Sequence, residues 1–292
     1  MDKVGFVGLG AIGRPMAVHV ARTFETRVWN RTSSRASEFA REHGTVAADL
    51  FPDLVAWADV LITCLPTSVE VQEVVEGATD KWHPGQLLLD TTSGDPGGAR
   101  ATADWLAERE VSFVDAPVSG GTSGAKAGTL TVMAGGGKDD IDRARTITTP
   151  FASRFIHVGP VGAGHAVKAI NQALLAVNIQ AAGEGLAALA KLGIAAETAL
   201  EVINSSSGRS NVTENLIPKR VVTRKWPRTF RLALLDKDVG IALDVLKDAG
   251  VSRESFEVVK RALESARTAL DADADHVELI KEIEKAADVE IH

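Results

Sequence analysis

A glycine-rich segment close to the N-terminus constrains the fold more than any other feature of this sequence. A short apolar run at 4–7 is followed at once by the pattern Gly-x-Gly-x-x-Gly, and a helical pattern then runs to about Arg22. The pattern consists of Gly8, Leu9, Gly10, Ala11, Ile12 and Gly13. Its first glycine allows a tight turn, its second lets a pyrophosphate approach the backbone, and its third lets helix and strand pack closely. The segment therefore predicts a Rossmann-type unit that binds a dinucleotide at a helix N-terminus.

Alternating strand and helix patterns continue to about residue 160. Apolar strand patterns lie at 26–30, 59–64, 86–90, 111–115, 129–134 and 154–158. In a doubly wound sheet, ligands bind outside the carboxyl ends of the strands. Leu65, Pro66 and Ser93 follow such ends, so we expect them to border the cofactor. These patterns predict an α/β dinucleotide-binding domain over residues 1–161.

The residues after the second strand indicate which nicotinamide cofactor is preferred. An NAD site has an Asp or Glu about twenty residues beyond the glycines, where it binds the ribose hydroxyls. Here the strand ends in Asn30, Arg31 and Thr32, with no carboxylate. Arginine and hydroxyl groups suit a 2′-phosphate, so the sequence favours NADP over NAD. The alternative is a helix-capping sequence whose arginines are simply solvated.

The longest helical pattern begins at Gly162 and runs to a stop at Gly193. Lys168, Asn171 and Gln172 are spaced i, i+3 and i+4 on it, so they are predicted to share one face. That face lies among apolar residues, where a lysine ammonium is costly. Lys168 is therefore a candidate acid–base group. The alternative is a solvated lysine that happens to precede an asparagine.

A second candidate site follows the strand pattern at 111–115. Ser119, Gly120 and Gly121 form a predicted turn that exposes backbone N–H groups and a hydroxyl, which can bind a small carboxylate. An ordinary flexible loop is the alternative. From residue 164 onward strand patterns disappear, and helical patterns lie at 164–192, 195–206, 210–223, 236–249, 254–270 and 276–288. Residues 162–292 are therefore predicted to form an all-α domain.

Composition and charge exclude several classes of function. The 292-residue chain is 45% hydrophobic, which supports two domain cores, and its net charge of −7 gives no basis for nucleic-acid binding. No run resembles a transmembrane helix, so we expect a soluble cytoplasmic protein. The single cysteine, Cys64, excludes an intramolecular disulfide and is interpreted as strand packing, and the seven histidines show no metal-ligand spacing. No metal is expected.

Four motifs in order resemble the β-hydroxyacid dehydrogenase family over nearly the whole chain. They are residues 8–13, 115–121, 162–172 and the pair Lys237-Asp238, while residues 202–210 look most like the 3-hydroxyisobutyrate branch. The resemblance implies that Lys168 is the catalytic lysine and that Asn171, Ser119, Gly120 and Gly121 bind substrate. It also implies that Lys237 borders the cofactor and the active site. Two departures are Gln172, where many members have a second Asn, and the missing acid near residue 30.

The implied reaction is reversible oxidation of a small β-hydroxy acid with NADP or NAD, most closely 3-hydroxyisobutyrate to methylmalonate semialdehyde. Lys168, oriented by Asn171 in an interdomain cleft, would exchange the hydroxyl proton, and Lys237, flanked by Asp236 and Asp238, is a candidate neighbouring cation. Alternatives are a reductase for tartronate, succinic or glyoxylic semialdehyde, or a catalytically silent NADP-binding sensor. A methyltransferase fits the helical second half poorly. The largely apolar leading helix predicts a homodimer or homotetramer.

Overall fold

The computed structural model describes residues 2–292 and divides into two compact units, of which the first ends at Lys168 and the second begins at Ala169. The sequence predicted a boundary between residues 161 and 162. The observed division falls inside the long helix because the first turn of that helix is bonded to a strand end of the first unit. Gly162 N donates to Asp115 at 2.7 Å and His165 N donates to the same carboxylate at 2.9 Å.

The first unit is built on one mixed sheet. Its strands are β1 (Val4–Val7), β2 (Thr26–Trp29), β3 (Val46–Ala47), β4 (Val60–Thr63), β5 (Leu87–Asp90), β6 (Ser112–Asp115), β7 (Val118–Ser119), β8 (Leu130–Gly135) and β9 (Ala152–Gly159). The order is β3-β2-β1-β4-β5-β6-β8-β7, and β9 pairs with β8. Strands β1 to β6 pair in parallel, whereas β8 runs antiparallel to β6 and β7. The last residues of four neighbouring strands are in register, namely Val7, Thr63, Asp90 and Asp115.

Helices connect these strands and cover both faces of the sheet. They are α1 (Gly13–Ala21), α2 (Ser33–His43), α3 (Phe51–Trp57), α4 (Ser68–Glu76), α5 (Pro96–Ala107), α6 (Gly121–Ala127) and α7 (Lys138–Thr148), with a 3-10 turn at Thr79–Lys81. Phe6, Ile62 and Leu89 face one apolar core, and Val7, Leu61 and Leu88 face a second. Burial on both faces explains why the central strands are continuously apolar rather than alternating.

The second unit is helical throughout residues 169–292. Its helices are α8 (Ala163–Lys191, which begins in the first unit), α9 (Ala196–Asn204), a π-helical segment (Val212–Val221), α10 (Leu232–Asp248), α11 (Glu254–Ala269), a 3-10 turn (His276–Glu278) and α12 (Leu279–Ala287). The only strand-like contact in this range is an isolated bridge between Arg231 and Asp275. The α/β domain followed by an all-α domain is therefore confirmed.

Helix α8 corrects one expectation, because it is long and apolar enough to cross a membrane by length and composition alone. Its buried residues explain that composition. Ala173, Ala176, Ile179 and Leu186 belong to the apolar core of the second unit. Burial inside the protein accounts for part of this composition, because 33% of the apolar window is buried.

Candidate functional site

Three glycines shape the loop between β1 and α1, and each has a different environment. A Cβ on Gly8 would lie 2.3 Å from the carbonyl oxygen of Cys64, and the residue has a φ of +97°. A Cβ on Gly13 would lie 2.0 Å from the carbonyl oxygen of Gly8. A Cβ on Gly10, in contrast, would meet no atom within 4 Å. Gly8 and Gly13 are thus required by the protein's own packing, whereas Gly10 leaves space beside an exposed backbone.

The N-terminus of α1 is available to an anion. Its first turn contains no acidic residue and no side chain caps it, so its N–H groups can face a phosphate. Asn30 supports the loop from the neighbouring strand. Its side chain accepts a hydrogen bond from Leu9 N at 3.0 Å and donates one to the Thr32 carbonyl at 3.0 Å. Together with the space beside Gly10, this arrangement fits the pyrophosphate of a dinucleotide.

Arg31 and Thr32 lie exposed at the start of α2. Thr32 occupies the N-cap position, but its side chain makes no capping hydrogen bond. Helix α2 begins at Ser33, which agrees with the helix start that the capping alternative expects there. The guanidinium and the hydroxyl remain exposed on the carboxyl side of β2.

The ends of β4 and β5 are joined by hydrogen bonds that position the next loop residues. Leu65 N donates to the Thr92 hydroxyl at 3.1 Å, and Thr91 N donates to the Thr63 carbonyl at 2.8 Å. Pro66 is exposed, and Ser93 follows Thr92 on the same edge. Cys64 comes directly after β4 rather than within it. Burial raises the pKa of its thiol to about 11, so it remains protonated and unreactive.

The segment predicted to bind a carboxylate forms a strand end and a sharp turn. Ser119 ends β7, while Gly120 and Gly121 have φ values of +132° and +62°. Only glycine adopts the first of these without strain. Helix α6 begins at Gly121, so the flexible-loop alternative is wrong. Gly120 and Gly121 are exposed, which leaves their backbone accessible to a ligand.

Lys168 lies in the first unit on the second turn of α8, and only 8% of its surface is exposed. His165, one turn earlier, is bonded through its backbone N–H to Asp115, the last residue of β6. Ser119 follows Asp115 by four residues, and Lys168 follows His165 by three. The contact between β6 and α8 is therefore close in sequence to the predicted carboxylate-binding turn and to the predicted catalytic lysine.

Asn171, Gln172 and Lys237 belong to the second unit. Gln172 is buried, whereas Asn171 is exposed and donates from Nδ2 to the Gln172 side-chain oxygen at 3.2 Å. Both aspartates that flank Lys237 in the sequence form ion pairs. Lys237 Nζ lies 2.8 Å from Asp238. Asp236 pairs with Lys260 and Arg267, each at 2.5 Å.

Three buried charged residues were not predicted from sequence. His165 Nε2 lies 3.3 Å from Asp90 Oδ2, and the exposed fractions of Asp90, Asp115 and His165 are 1%, 0% and 0%. A usable signal was present, because Asp90 and Asp115 both end strands whose carboxyl edges meet. Among the described residues, no group of three His, Cys, Asp or Glu side chains is placed to hold a metal ion.

The protonation of this cluster is set by burial and by its own charges. Burial alone would lower the pKa of His165, but its contacts with Asp90 and the nearby charge of Asp115 raise it overall. Burial would raise the pKa of Asp90, but His165, Thr92 and Thr63 hold it below its usual range. Burial raises the pKa of Asp115, against the opposing effect of His165 and two backbone N–H groups.

Comparisons with known proteins agree with this geometry. The sequence model of the NAD binding domain of 6-phosphogluconate dehydrogenase matches residues 3–159. The model described as NAD-binding of NADP-dependent 3-hydroxyisobutyrate dehydrogenase matches residues 162–283. Two matches thus meet near the predicted domain boundary and together span most of the chain.

Individual relatives match over most of their length. The chain is 32% identical to 2-(hydroxymethyl)glutarate dehydrogenase of Eubacterium barkeri, over 91% of this chain and 89% of that protein. It is 32% identical to NAD-dependent L-serine dehydrogenase of Pseudomonas aeruginosa, over 86% and 88%. A solved structure of Mycobacterium tuberculosis 3-hydroxyisobutyrate dehydrogenase with L-serine superposes with a TM-score of 0.90 at 30% identity, over 97% and 99%.

These matches agree with the glycine loop, the doubly wound sheet and the helical second unit described above. The bound redox group of such proteins is a nicotinamide dinucleotide, and the space beside Gly10 and the uncapped N-terminus of α1 fit one. This chain belongs to the β-hydroxyacid dehydrogenase family and is an NAD(P)-dependent oxidoreductase.

Proposed function

We propose that the protein oxidises a small β-hydroxy acid reversibly to its semialdehyde, with 3-hydroxyisobutyrate and methylmalonate semialdehyde as the favoured pair and NADP as the favoured cofactor. The observation that carries the proposal is the buried Lys168, which lies one turn beyond the contact between α8 and β6. The match of residues 162–283 to the NADP-dependent 3-hydroxyisobutyrate dehydrogenase model supports the choice of substrate and cofactor.

Lys168 is the proposed acid–base group. In oxidation its neutral amine removes the proton of the substrate hydroxyl, and in reduction its ammonium returns that proton to the forming alkoxide. When bound, the nicotinamide cofactor supplies the redox step, because it takes up the hydride from the carbinol carbon and gives it back in reduction. Burial of Lys168 keeps bulk water from competing for the proton.

Substrate binding is assigned to a backbone turn and an amide pair. Ser119, Gly120 and Gly121 present a hydroxyl and backbone N–H groups, which bind the carboxylate without a full ion pair. Asn171 and Gln172, linked by a hydrogen bond of 3.2 Å, orient the substrate hydroxyl and the Lys168 amine. Lys237 adds a positive charge that favours an anionic substrate and cofactor.

The cofactor is assigned to the glycine loop and its neighbours. Residues 8–13 hold the pyrophosphate, Leu65, Pro66 and Ser93 border the nicotinamide half, and Asn30, Arg31 and Thr32 receive the adenosine ribose. The exposed Arg31 guanidinium and Thr32 hydroxyl suit a 2′-phosphate. We therefore assign the preference for NADP over NAD to this segment.

The lysine assignment is tested by Lys168→Ala with Lys138→Ala, an exposed lysine of the first unit, as the matched control. Positioned acid–base catalysis contributes roughly 10²–10⁴-fold, so K168A is expected to lose about that factor in kcat while its NADPH affinity stays unchanged. K138A is expected to keep wild-type turnover. Near-normal turnover of K168A would remove Lys168 from the mechanism.

The cofactor assignment is tested by Arg31→Ala, with Arg41→Ala as the control; Arg41 is an exposed arginine in the last turn of α2, the helix that follows Arg31. Loss of a charge-assisted contact of about 1.5–3 kcal/mol corresponds to a rise in KM for NADP of roughly 10- to 100-fold. KM for NAD is expected to change little in either variant. An unchanged KM for NADP in R31A would show that the arginine does not bind the phosphate.

A second group of substrates is favoured by the relatives, because L-serine and 2-(hydroxymethyl)glutarate, named in two of them, share the β-hydroxy carboxylate unit with 3-hydroxyisobutyrate. Initial rates with all three acids, and in the reverse direction with tartronate, succinic and glyoxylic semialdehydes, rank the candidates. The highest kcat/KM with 3-hydroxyisobutyrate supports the proposal. NADPH binding without turnover of any of them would favour the silent sensor.

We also propose a cytoplasmic homodimer or homotetramer. A stripe along one side of α8 remains exposed in the second unit and includes Leu174, half of whose surface is accessible (51%). An exposed stripe on an apolar helix is typical of a surface that pairs with another subunit.

A further inference from the structure

A buried cluster of charged side chains lies beneath the first turn of α8, and no step of the proposed reaction uses it. Asp90 ends β5, Asp115 ends β6, and His165 lies in the first turn of α8, all within the first unit. Buried charges are costly unless they are paired and hydrogen-bonded. Their presence at this point therefore requires an explanation.

Asp115 fixes the start of α8 to the sheet. Its Oδ1 accepts a hydrogen bond from Gly162 N at 2.7 Å, and its Oδ2 accepts one from His165 N at 2.9 Å. Gly162 directly precedes α8 and His165 lies in its first turn, where a carboxylate also interacts favourably with the helix dipole. This carboxylate thus determines where the first turn of α8 lies along β6.

Asp90 fixes the same turn from the neighbouring strand. Its Oδ1 accepts hydrogen bonds from the Thr63 hydroxyl at 2.7 Å and from Thr92 N at 3.0 Å. Its Oδ2 lies 3.3 Å from His165 Nε2. Among the described residues, neither ring nitrogen of His165 makes a hydrogen bond of ordinary geometry. The imidazole therefore interacts with Asp90 through the close contact of their charges, and Asp90 is itself held by two strand ends.

Glycines allow the backbone to close tightly around this cluster. A Cβ on Gly94 would lie 3.0 Å from His165 Nε2, and one on Gly135 would lie 2.5 Å from Asp115 Oδ1. A Cβ on Gly164 would lie 2.4 Å from the Met133 carbonyl oxygen. Such close packing leaves the imidazole and the two carboxylates little freedom to change rotamer.

We propose that His165, paired with Asp90 and seated on Asp115, is a positioning residue for Lys168. His165 and Lys168 are spaced i, i+3, so they lie on neighbouring turns of one helix face. A shift of the first turn would move the amine with it. This inference rests on the proposed acid–base role of Lys168, because the cluster acts only through that side chain.

The charge state of the cluster links this positioning to pH. The groups that face His165 are Asp90 on β5, Asp115 on β6 and Asp95, the N-cap residue of α5. Their negative charges outweigh burial and raise the pKa of His165 above its ordinary value. The imidazolium is thus favoured up to a pH above 6.5. Its deprotonation removes the charge that neutralises Asp90 and weakens the tie to α8.

The inference is tested with two substitutions of one residue. His165→Gln retains a donor near the position of Nε2 but no charge, whereas His165→Leu removes both. Misplacement of a catalytic group by about 1 Å costs on the order of 10²-fold in rate. We expect kcat to fall about 10-fold in H165Q and about 100-fold in H165L, with KM for the hydroxy acid and NADPH affinity within threefold of wild type.

The second unit offers a matched control. His276 is buried and its Nδ1 lies 3.0 Å from Asp275. It therefore forms a second buried His–Asp pair, far from Lys168 in the sequence. His276→Gln is expected to keep kcat within twofold. If H165L does not fold, the comparison of H165Q with H276Q decides. Equal loss in these two variants, or kcat within twofold in H165Q and H165L, overturns the inference.

A measurement that does not depend on catalytic activity is a pH titration of the histidine C2 protons by proton NMR, in the enzyme without cofactor. One resonance should be missing in H165Q, titrate above pH 6.5 in the wild type, and shift to lower pH in Asp90→Asn. Titration of that resonance at or below pH 6.5 overturns the inference. The two hypotheses fail in different ways. An active K168A would reject the proposed function, whereas an inactive K168A together with fully active His165 variants would reject the positioning role alone.

Discussion

The glycines of the β1–α1 loop belong to one motif, but different groups exclude a larger side chain at each position. Gly13 is limited by the protein, because an added methyl would lie 2.0 Å from the Gly8 carbonyl oxygen. Gly10 is limited by the proposed ligand, because an added methyl meets no protein atom within 4 Å. We therefore predict that Gly10→Ala leaves the melting temperature of the cofactor-free protein unchanged and raises the Kd for NADPH at least tenfold.

Gly13→Ala is the counterpart at the same scale. Overpacking of this kind costs about 1–3 kcal/mol or more, so its melting temperature is expected to fall by several degrees. Differential scanning fluorimetry and NADPH fluorescence titration of both variants provide the test. If G10A bound NADPH as tightly as the wild type, the pyrophosphate would not pass over Gly10.

His165 and Asp90 join α8 to β5 within the first unit. Because both side chains titrate, we predict that the stability of the protein depends on pH. The pKa of His165 is raised, so its contribution to stability is fully present below pH 6.5 and is lost as the pH rises through its folded-state pKa. The pKa of Asp90 is lowered, so its contribution is present above pH 3.8 and is lost as the pH falls through its folded-state pKa. The pair is therefore most stabilising between these limits.

We predict that H165Q is less stable than the wild type by about 1.5–3 kcal/mol near pH 6, the usual contribution of a hydrogen bond to a charged group. The difference should shrink above the folded-state pKa of His165. Urea unfolding of the cofactor-free proteins at pH 5 to 9 measures it. A difference that stays constant over this range would mean that the pKa of His165 is the same in the folded and unfolded states.

The helices and strands that the sequence predicted are those in which apolar residues recur with a clear period. Missed elements are short or poor in strong formers of secondary structure, as in β3, α3 and α6. Helix α6 contains Gly121 and Gly124, whose intrinsic helix propensity is low, and its buried residues are Gly124, which packs against Leu130, and Ala125. Tertiary contact, which the local sequence does not contain, decides such segments.

The candidate site was predictable to a similar degree. Lys168 and the glycine loop lie in contiguous motifs, so their roles follow from local spacing. The contact of His165 with Asp90 joins residues 75 positions apart, and it depends on the strand order β4-β5-β6 and on the closeness of the helix start to that edge. Local sequence patterns do not reveal a contact between residues so far apart in the chain.

The whole molecule has three apolar cores, one on each face of the sheet in the first unit and one among the helices of the second. Leu174 on α8 belongs to none of them, since it is 51% exposed. If α8 pairs with another subunit, as proposed, a charge at this position is costly only in the assembly. We predict that Leu174→Glu lowers the oligomeric state, which size-exclusion chromatography with light scattering measures.

Val258 on α11 provides the control, because it is exposed to a similar degree (53%) on a different helix of the second unit. Val258→Glu adds the same charge to the same unit, so the net charge of the two variants is identical. We expect V258E to keep the wild-type assembly and both variants to keep the wild-type circular dichroism spectrum. If L174E and V258E had the same molar mass as the wild type, the exposed side of α8 would not be the subunit contact. The apolar character of that helix would then be explained by its buried side alone.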